Sequence, residues 1–547
     1  KHHHNKHGEK QHKPLPAPSP LPTAAPSPPS PSPPPPSPPP SGDAAAPLAV
    51  ITGVFTDVAT FGPFDLEALD PYEGKTGQVT NFYVASVSES GNVLWAVRLG
   101  SALPGFPLAA TTDRGQIEVT VDSSGDVLAV GHFFGVGTFG DDTLTLTATP
   151  ADIATAFVAK LDGATGETLW ATPLGKQSDD SKGPDGSRAM GVTVSESNEV
   201  VAVGSFEGEA AFGDHVLQSA WTNVCSDIWV AKLTSAGDVI WAVSMGGPGD
   251  DRALSAAMDA SGNTFITGSV ADEKNPDLPH EYPVQFGPIN VTVAGQRDAF
   301  LTKLDSDGEV LWALTFGGQN TANLAGGVTK AFSVAVDKTG DAFVAGSFDS
   351  DTVWFGPDIS LGTHGESDGF VVKVHAHDVP SVAWATKLGG NDNLESGHGV
   401  AVEPSTGNAL VTGIVDSQAV SPFGAFTLLC PGVPCACFAE LGSSTGNVLE
   451  ATLLSASQDQ EKQQQTLSGR GYGIAVTASG DALVTGSFSD NGNEGGKSVF
   501  LTKLKRVGDD AAKLTGQQAW AMDMLMTSSM PVGGEDVDVG FGVAAAV

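Results

Sequence analysis

Two pairs of adjacent carboxylates, Asp179-Asp180 and Asp250-Asp251, follow the segments LGK and MGG. They are the residues of this 547-residue sequence whose types and spacing come nearest to chemistry. Paired carboxylates in loops can divide acid and base roles in glycan cleavage, or bind calcium through oxygen, and they serve equally well as solvated loop residues. No GxSxG, HExxH or Walker segment accompanies them, and no GxGxxG opens a helix. No cluster of His, Glu and Asp is seen to break the repeats described below. The expectation is therefore no enzyme, with no catalytic, cofactor-binding or metal-binding residue, and a glycan-active enzyme is kept as a lesser alternative.

Other reactive side chains are sparse. Cys225, Cys430, Cys435 and Cys437 are too few for a disulfide scaffold and lack the paired spacing of a zinc site. CPGVPCAC would close a small loop through Cys430 and either Cys435 or Cys437 in an oxidising compartment. His2, His3, His4, His7 and His12 lie in a lysine-bearing tail, residues 1–13, which reads as a solvated basic segment able to gain charge near pH 6. That tail carries +3 of a chain whose net charge is −36, so the remainder carries −39. A body so acidic lacks the basic footprint of a nucleic-acid binder and favours solubility. No apolar run is long enough to span a bilayer. With neither an initiating Met nor a signal-peptide pattern, the sequence reads as starting inside a processed chain.

The elements that would position any site come from a repeat of roughly 70 residues. One strand-like phrase recurs around Gly53, Gly131, Gly204, Gly268, Gly346, Gly413 and Gly486, from LAVITGVF through VVAVGSF to ALVTGSF. A second phrase, such as AFVAKL or VFLTKL, precedes a turn and then Trp95, Trp170, Trp241, Trp312, Trp384 or Trp520, with Glu450 in the sixth repeat. DSSGD, DASGN, DKTGD and TASGD are hairpin turns that need a left-handed glycine. Phe-Gly recurs at Phe61, Phe139, Phe212, Phe286, Phe355 and Phe423, an anchor and a turn absent only from repeat seven. Each repeat is four short antiparallel strands without a helix. Strands apolar on both alternations must be buried on both faces, as stacked blades provide. The first repeat begins at its second strand, and the terminal GFGVAAAV matches the opening strands GHGVAVE and GYGIAVT. The sequence thus predicts an all-β, seven-bladed propeller over residues 48–547, closed by the C-terminal strand. Loops of unequal length are expected on both faces, with no unique groove.

VAVDKTGDAFVAGSF, DGFVVKV and WATKLGG resemble the seven-bladed propeller repeats of large bacterial cell-surface proteins, a likeness that implies a scaffold. AKLDGATGETLWA resembles the tryptophan-docking motif of pyrroloquinoline-quinone propellers. Those enzymes typically have eight blades and often an adjacent cysteine pair, which this chain lacks, so a quinoprotein is a minor alternative. Residues 14–47 hold 17 of the 36 prolines. Their composition suits polyproline II, and 28 extended residues at ~3.1 Å each would reach about 87 Å. SPPPPSPPP resembles the hydroxyproline-rich wall and matrix glycoproteins of green algae and plants. That resemblance implies hydroxylated, O-glycosylated proline at Pro28, Pro29, Pro31, Pro33, Pro34, Pro35, Pro36, Pro38, Pro39 and Pro40. Asn290-Val291-Thr292 is the N-glycosylation sequon, placed in an insertion between strands two and three of repeat four.

Together these features predict a secreted structural glycoprotein in a wall, matrix or surface fibril. Its partners would be further copies of itself joined head to tail, or other matrix glycoproteins, with covalently attached glycans. A tethered carbohydrate- or protein-binding propeller is the alternative.

Overall fold

The computed structural model describes residues 46–546, except for 56–57, 68–80, 102–114, 117, 141–143, 149–152, 178–185, 221–224, 272–282, 320–326, 364–366, 391–394, 416–419, 431–432, 455–466, 491–496, 507–513, 525, 528–538 and 541. The basic tail and the candidate hydroxyprolines lie outside the described residues.

Every Asp-or-Ser turn read from the sequence closes a hairpin on a glycine of positive φ, among them Gly125 at 85°, Gly262 at 81°, Gly340 at 83° and Gly480 at 82°. Aspartate stabilises the same turns from within. Asp122 Oδ1 accepts hydrogen bonds from the Ser124 and Asp126 amides at 2.8 and 3.0 Å, and Asp259 and Asp337 do the same in their own blades.

These hairpins build seven four-stranded antiparallel blades, and in blades 2 to 7 the strands run in sequence order outward from the axis. In blade 2 the order is Val119–Val121, Val127–Phe133, Thr155–Leu161 and Thr168–Leu174. Blades 3 to 7 begin on the innermost strands Ser187–Val194, Arg252–Met258, Thr329–Val336, Glu395–Val402 and Leu467–Val476. Blade 1 takes its innermost strand, Val543–Ala545, from the far end of the chain, which pairs with Pro47–Phe55 through Ala49↔Ala545, Val50↔Ala544 and Ile51↔Val543. The predicted fold and its closure are as read from the sequence.

Second and third strands are buried along their whole length in blades 2, 3 and 6, for example Val200–Phe206 and Asp227–Leu233 of blade 3. Blades are stapled together twice. The Phe-Gly turns cap small hairpins inserted between second and third strands, and Phe61, Phe139, Phe212, Phe286, Phe355 and Phe423 are all buried. Several of these hairpins extend the outermost strand of the preceding blade, as in Leu99↔Phe139 and Gly317↔Trp354.

The second staple is tryptophan. Nε1 of Trp95, Trp170, Trp241 and Trp384 donates to the Gly163, Ser235, Ser306 and Ser443 carbonyls of the next blade at 2.9 to 3.1 Å. Each of these rings lies on a turn glycine so closely that a Cβ on Gly166, Gly237, Gly308 or Gly446 would approach it to between 2.5 and 3.1 Å. The corresponding turn of blade 5, between His375 and Ser381, has no glycine, and Trp312 Nε1 has no acceptor among the described residues. Trp95, Trp170, Trp241 and Trp384 are therefore interblade struts.

Antiparallel order sorts the connections. Tight turns from first to second and third to fourth strand share one face, and the longer second-to-third and blade-to-blade connections share the other. The two faces therefore differ in the connections they carry.

Gly446→Ala is expected to destabilise the propeller by about 2–4 kcal/mol, since it adds a clash with Trp384 to positive-φ strain. Gly125→Ala, where a Cβ meets nothing within 4 Å, should cost only the strain of about 1–2 kcal/mol. Urea unfolding of both variants checks this, and equal losses would exclude the tryptophan strut as a source of stability.

Candidate functional site at the propeller axis

All seven innermost strands face the axis, and five of them carry a β-bulge at the same place. Register slips between Ala189 and Gly191, Ala253 and Ser255, Ala331 and Ser333, Gly397 and Gly399, and Gly471 and Gly473. A bulge re-aims the extra residue, here Met190, Leu254, Phe332, His398 and Tyr472. Met190, Leu254 and Phe332 form one apolar cluster. His398 stacks edge-on with Phe332 at 5.4 Å and lies tilted against Tyr472 at 5.5 Å. The five side chains, 2 to 7% exposed, thus make an arc that narrows the channel. His398 Nε2 and Ser396 Oγ of the same strand share a hydrogen bond of 2.5 Å.

The next residue of each strand is Glu118, Gly191, Ser255, Ser333, Gly399 and Gly473 in blades 2 to 7. Ser255 Oγ accepts from the Val334 amide at 3.4 Å, and Ser333 Oγ from the Val400 amide at 3.2 Å, so this layer laces each innermost strand to the next. Glu118 does the same from Oε2 to the Val192 amide at 3.1 Å. Its carboxyl passes Gly191, where no side chain stands in the way, and also hydrogen-bonds Ser255 two blades on. Burial in this narrow space outweighs those bonds and pushes its pKa up to about 8. Below it the walls are small or apolar and half-buried: Thr120, Thr193, Ala257, Ala335, Ala401 and Ala475. The axis therefore holds one carboxyl that stays protonated at neutral pH, beside serine hydroxyls, a histidine and a tyrosine.

A second set of carboxyls lies between blades. Asp227 opens the third strand of blade 3 and Asp251 immediately precedes the innermost strand of blade 4, both buried. They converge around Gly246, where a Cβ would fall 2.5 Å from Asp227 Oδ1 and 3.0 Å from Asp251 Oδ2. Asp227 Oδ2 accepts from the Ala220 amide at 2.6 Å, whereas Oδ1 has no donor. Asp251 accepts from the Ala271 and Gly247 amides at 2.8 and 2.6 Å. Burial raises Asp227 to about 7 and Asp251 well above the usual carboxylate range.

Asp250-Asp251 is thus half of a buried interblade pair and half a turn residue, with Asp250 Oδ1 accepting from the Ser226 amide at 3.0 Å. Asp179-Asp180 lies outside the described residues. Cys430 and Cys435 are disulfide-bonded, leaving Cys437 and Cys225 as buried thiols. Asn290 is exposed on a short hairpin strand, Ile289–Val291. No group of three or more His, Cys, Asp or Glu side chains among the described residues is placed to hold a metal ion.

No family model matches the chain, and no curated protein matches it. Among solved structures it is similar to a lignostilbene dioxygenase of Pseudomonas brassicacearum, at 11% identity and TM-score 0.39, covering 92% of this chain and 95% of that one. It is similar to an apocarotenoid oxygenase of Synechocystis at 10% identity and TM-score 0.38, covering 92% and 94%. A quinohemoprotein alcohol dehydrogenase of Pseudomonas putida HK5 follows at 12% and 0.32, covering 75% and 61%. At these values no activity carries over to this chain, and the fold rests on its own strand ladders. All three are named as enzymes, where the sequence led to the expectation of a non-enzymatic structural glycoprotein, and that expectation is not carried forward. The innermost strands do carry three titratable side chains that depart from their repeats, Glu118 in blade 2, His398 in blade 6 and Tyr472 in blade 7. The sequence reading missed Glu118, His398 and Tyr472, although each departs from its repeat in the two residues before VTV, VAV or IAV.

Because Asp227 and Glu118 keep protons in the folded state that an unfolded chain releases near pH 4, stability is fully present below pH 4 for these groups and lost as pH rises to about 7 and 8. The urea midpoint should therefore fall from pH 5 to pH 8, and Asp227→Asn should flatten that fall. A wild-type midpoint that rises over this interval would contradict the assignment.

Proposed function

We propose that this propeller is an enzyme of the acid–base class whose reaction takes place in the axial channel, with Glu118 as proton donor. The observation that carries the reading is the placement of Glu118, a single carboxyl where other blades have glycine or serine, hydrogen-bonded across three blades and protonated at neutral pH. A carboxylic acid with a pKa near the working pH protonates a departing oxygen efficiently. Cleavage of a glycosidic bond is the reaction class that most needs this. His398 and Tyr472, packed against each other at the bulge positions of blades 6 and 7, are the further groups on the innermost strands able to accept or relay a proton.

A screen across neutral and acidic glycans should find cleavage that declines as pH rises through about 8. Glu118→Gln should lower kcat/KM by about 100-fold or more and remove the alkaline limb. Full activity in that variant, or no cleavage of any glycan, would defeat the reading.

We propose in addition that the chain works outside the cell, with residues 14–47 as a hydroxyproline-rich tether. The proline and serine composition supports this, and so does the Cys430–Cys435 disulfide, which suits an oxidising compartment. Mass spectrometry of peptides from residues 14–41 is expected to show hydroxyproline carrying sugar, and unmodified proline throughout would remove the proposal.

A further inference from the structure

The outer hairpin of blade 5 departs from its repeat. From the end of its third strand, Asp368–His375, to the start of its fourth, Ser381–Leu388, the chain reads HAHDVPS, where blades 2, 3, 4 and 6 turn on DGATGE, TSAGD, DSDGE and GSSTGN. The glycine on which a tryptophan lies at other junctions is absent, and two histidines, His375 and His377, stand in the segment instead. The hairpin belongs to the face of the tight turns and to the outer half of its blade, apart from the axial channel.

His375 is held in one orientation by a carboxylate. Its Nδ1 lies 3.0 Å from Asp341 Oδ2, and an ionised carboxylate only accepts, so the proton sits on Nδ1 and Nε2 presents a lone pair. Asp341 is buried and ion-paired with Lys373 at 3.2 Å, while Asp337 meets the same ammonium at 3.3 Å. Two carboxylates thus face one cation, and a negative charge is left in excess. The His375 side chain is 47% exposed, and its ring lies 12° from parallel with that of His377, the centroids 6.4 Å apart. Neither Nε2 of His375 nor a ring nitrogen of His377 has a hydrogen-bond partner among the described residues. A carboxylate on the far nitrogen is the arrangement that orients metal-binding histidines and raises their basicity.

We propose that His375 and His377 chelate a divalent transition metal, with Asp341 as the residue that positions His375. Neutral imidazole suits Zn2+ and Cu2+, whereas Ca2+ and Mg2+ take oxygen ligands. Nitrogens that share one ion at about 2.0 Å each stand roughly 3 Å apart, a spacing reached by turning the exposed His377 ring about its own side-chain bonds. With two protein ligands, the remaining positions go to water or to a donor from another molecule. The site is separate from Glu118 and independent of the acid–base reading.

The test is labelling of histidines in the full chain with diethyl pyrocarbonate while Zn2+ is titrated in, each labelled peptide being read by mass spectrometry. Residue-by-residue reading keeps this site distinct from His2, His3, His4, His7 and His12, which are also imidazoles open to metal. His375 and His377 should lose label together along one Zn2+ curve, and Cu2+ should act at lower concentration. His215, whose Nε2 lies 3.2 Å from the Ile240 carbonyl oxygen, should stay labelled. His377→Ala, a change at an exposed side chain, should raise the Zn2+ needed to protect His375 by about tenfold or more. Asp341→Asn should raise it by about 10- to 100-fold. Unchanged protection of His375 in His377→Ala, protection of one ring alone in the wild type, equal protection by Ca2+, or loss of label at His215 along the same curve would overturn the proposal.

Discussion

A blade whose second and third strands are buried along both faces has no side that water can cover, so each sheet depends on two neighbours for its stability. A closed ring is the arrangement that gives every blade both. Other features follow from it. The outermost strands need struts, and the tryptophan rings lying on the next blade's turn glycines provide them, as do the Phe-Gly hairpins that continue the ladder across the junction. Small residues must line the axis where seven strands converge, and the glycines at 191 and 399 sit where a Cβ would meet its neighbours at about 3 Å or closer.

The same crowding creates the chemistry. A strand that must stay close to its neighbours but absorb an extra residue forms a bulge, and its side chain is turned toward the one open direction, the axis. In blades 6 and 7 that residue is polar or aromatic, and in blade 2 the residue after the bulge site is Glu118. Space normally left empty by glycine or shared with a serine hydroxyl is occupied by a carboxyl that has little water. Its raised proton affinity is a consequence of ring geometry, with no charged neighbour needed to explain it.

Much of this fold was legible because its signals are local and repeated. Gly125, Gly262, Gly340 and Gly480 mark hairpins in the sequence and adopt positive φ in the structure. GFGVAAAV matched an opening strand and proved to be one. The site was harder to read because its members belong to different blades. Glu118 is one acidic residue in a sequence full of them, and only superposition of the repeats shows it replacing glycine. Asp251 looks like a loop residue, and its burial comes from Asp227 and Gly246 across a blade boundary that the sequence order does not display. The sequence shows loops of unequal length without assigning each connection to an end; antiparallel order makes that assignment.

Closure by Val543–Ala545 has a consequence for how the molecule is made. The ladder Ala49↔Ala545 joins positions about 500 residues apart, so blade 1 stays a three-stranded sheet while the other six are synthesised. Until that last strand arrives, Pro47–Phe55 offers an unpaired edge, open to the strand of another nascent chain as readily as to its own. Folding yield should thus be governed by a single late event, and crowding of chains at the site of synthesis is the condition under which exchange of that strand between copies competes with closure.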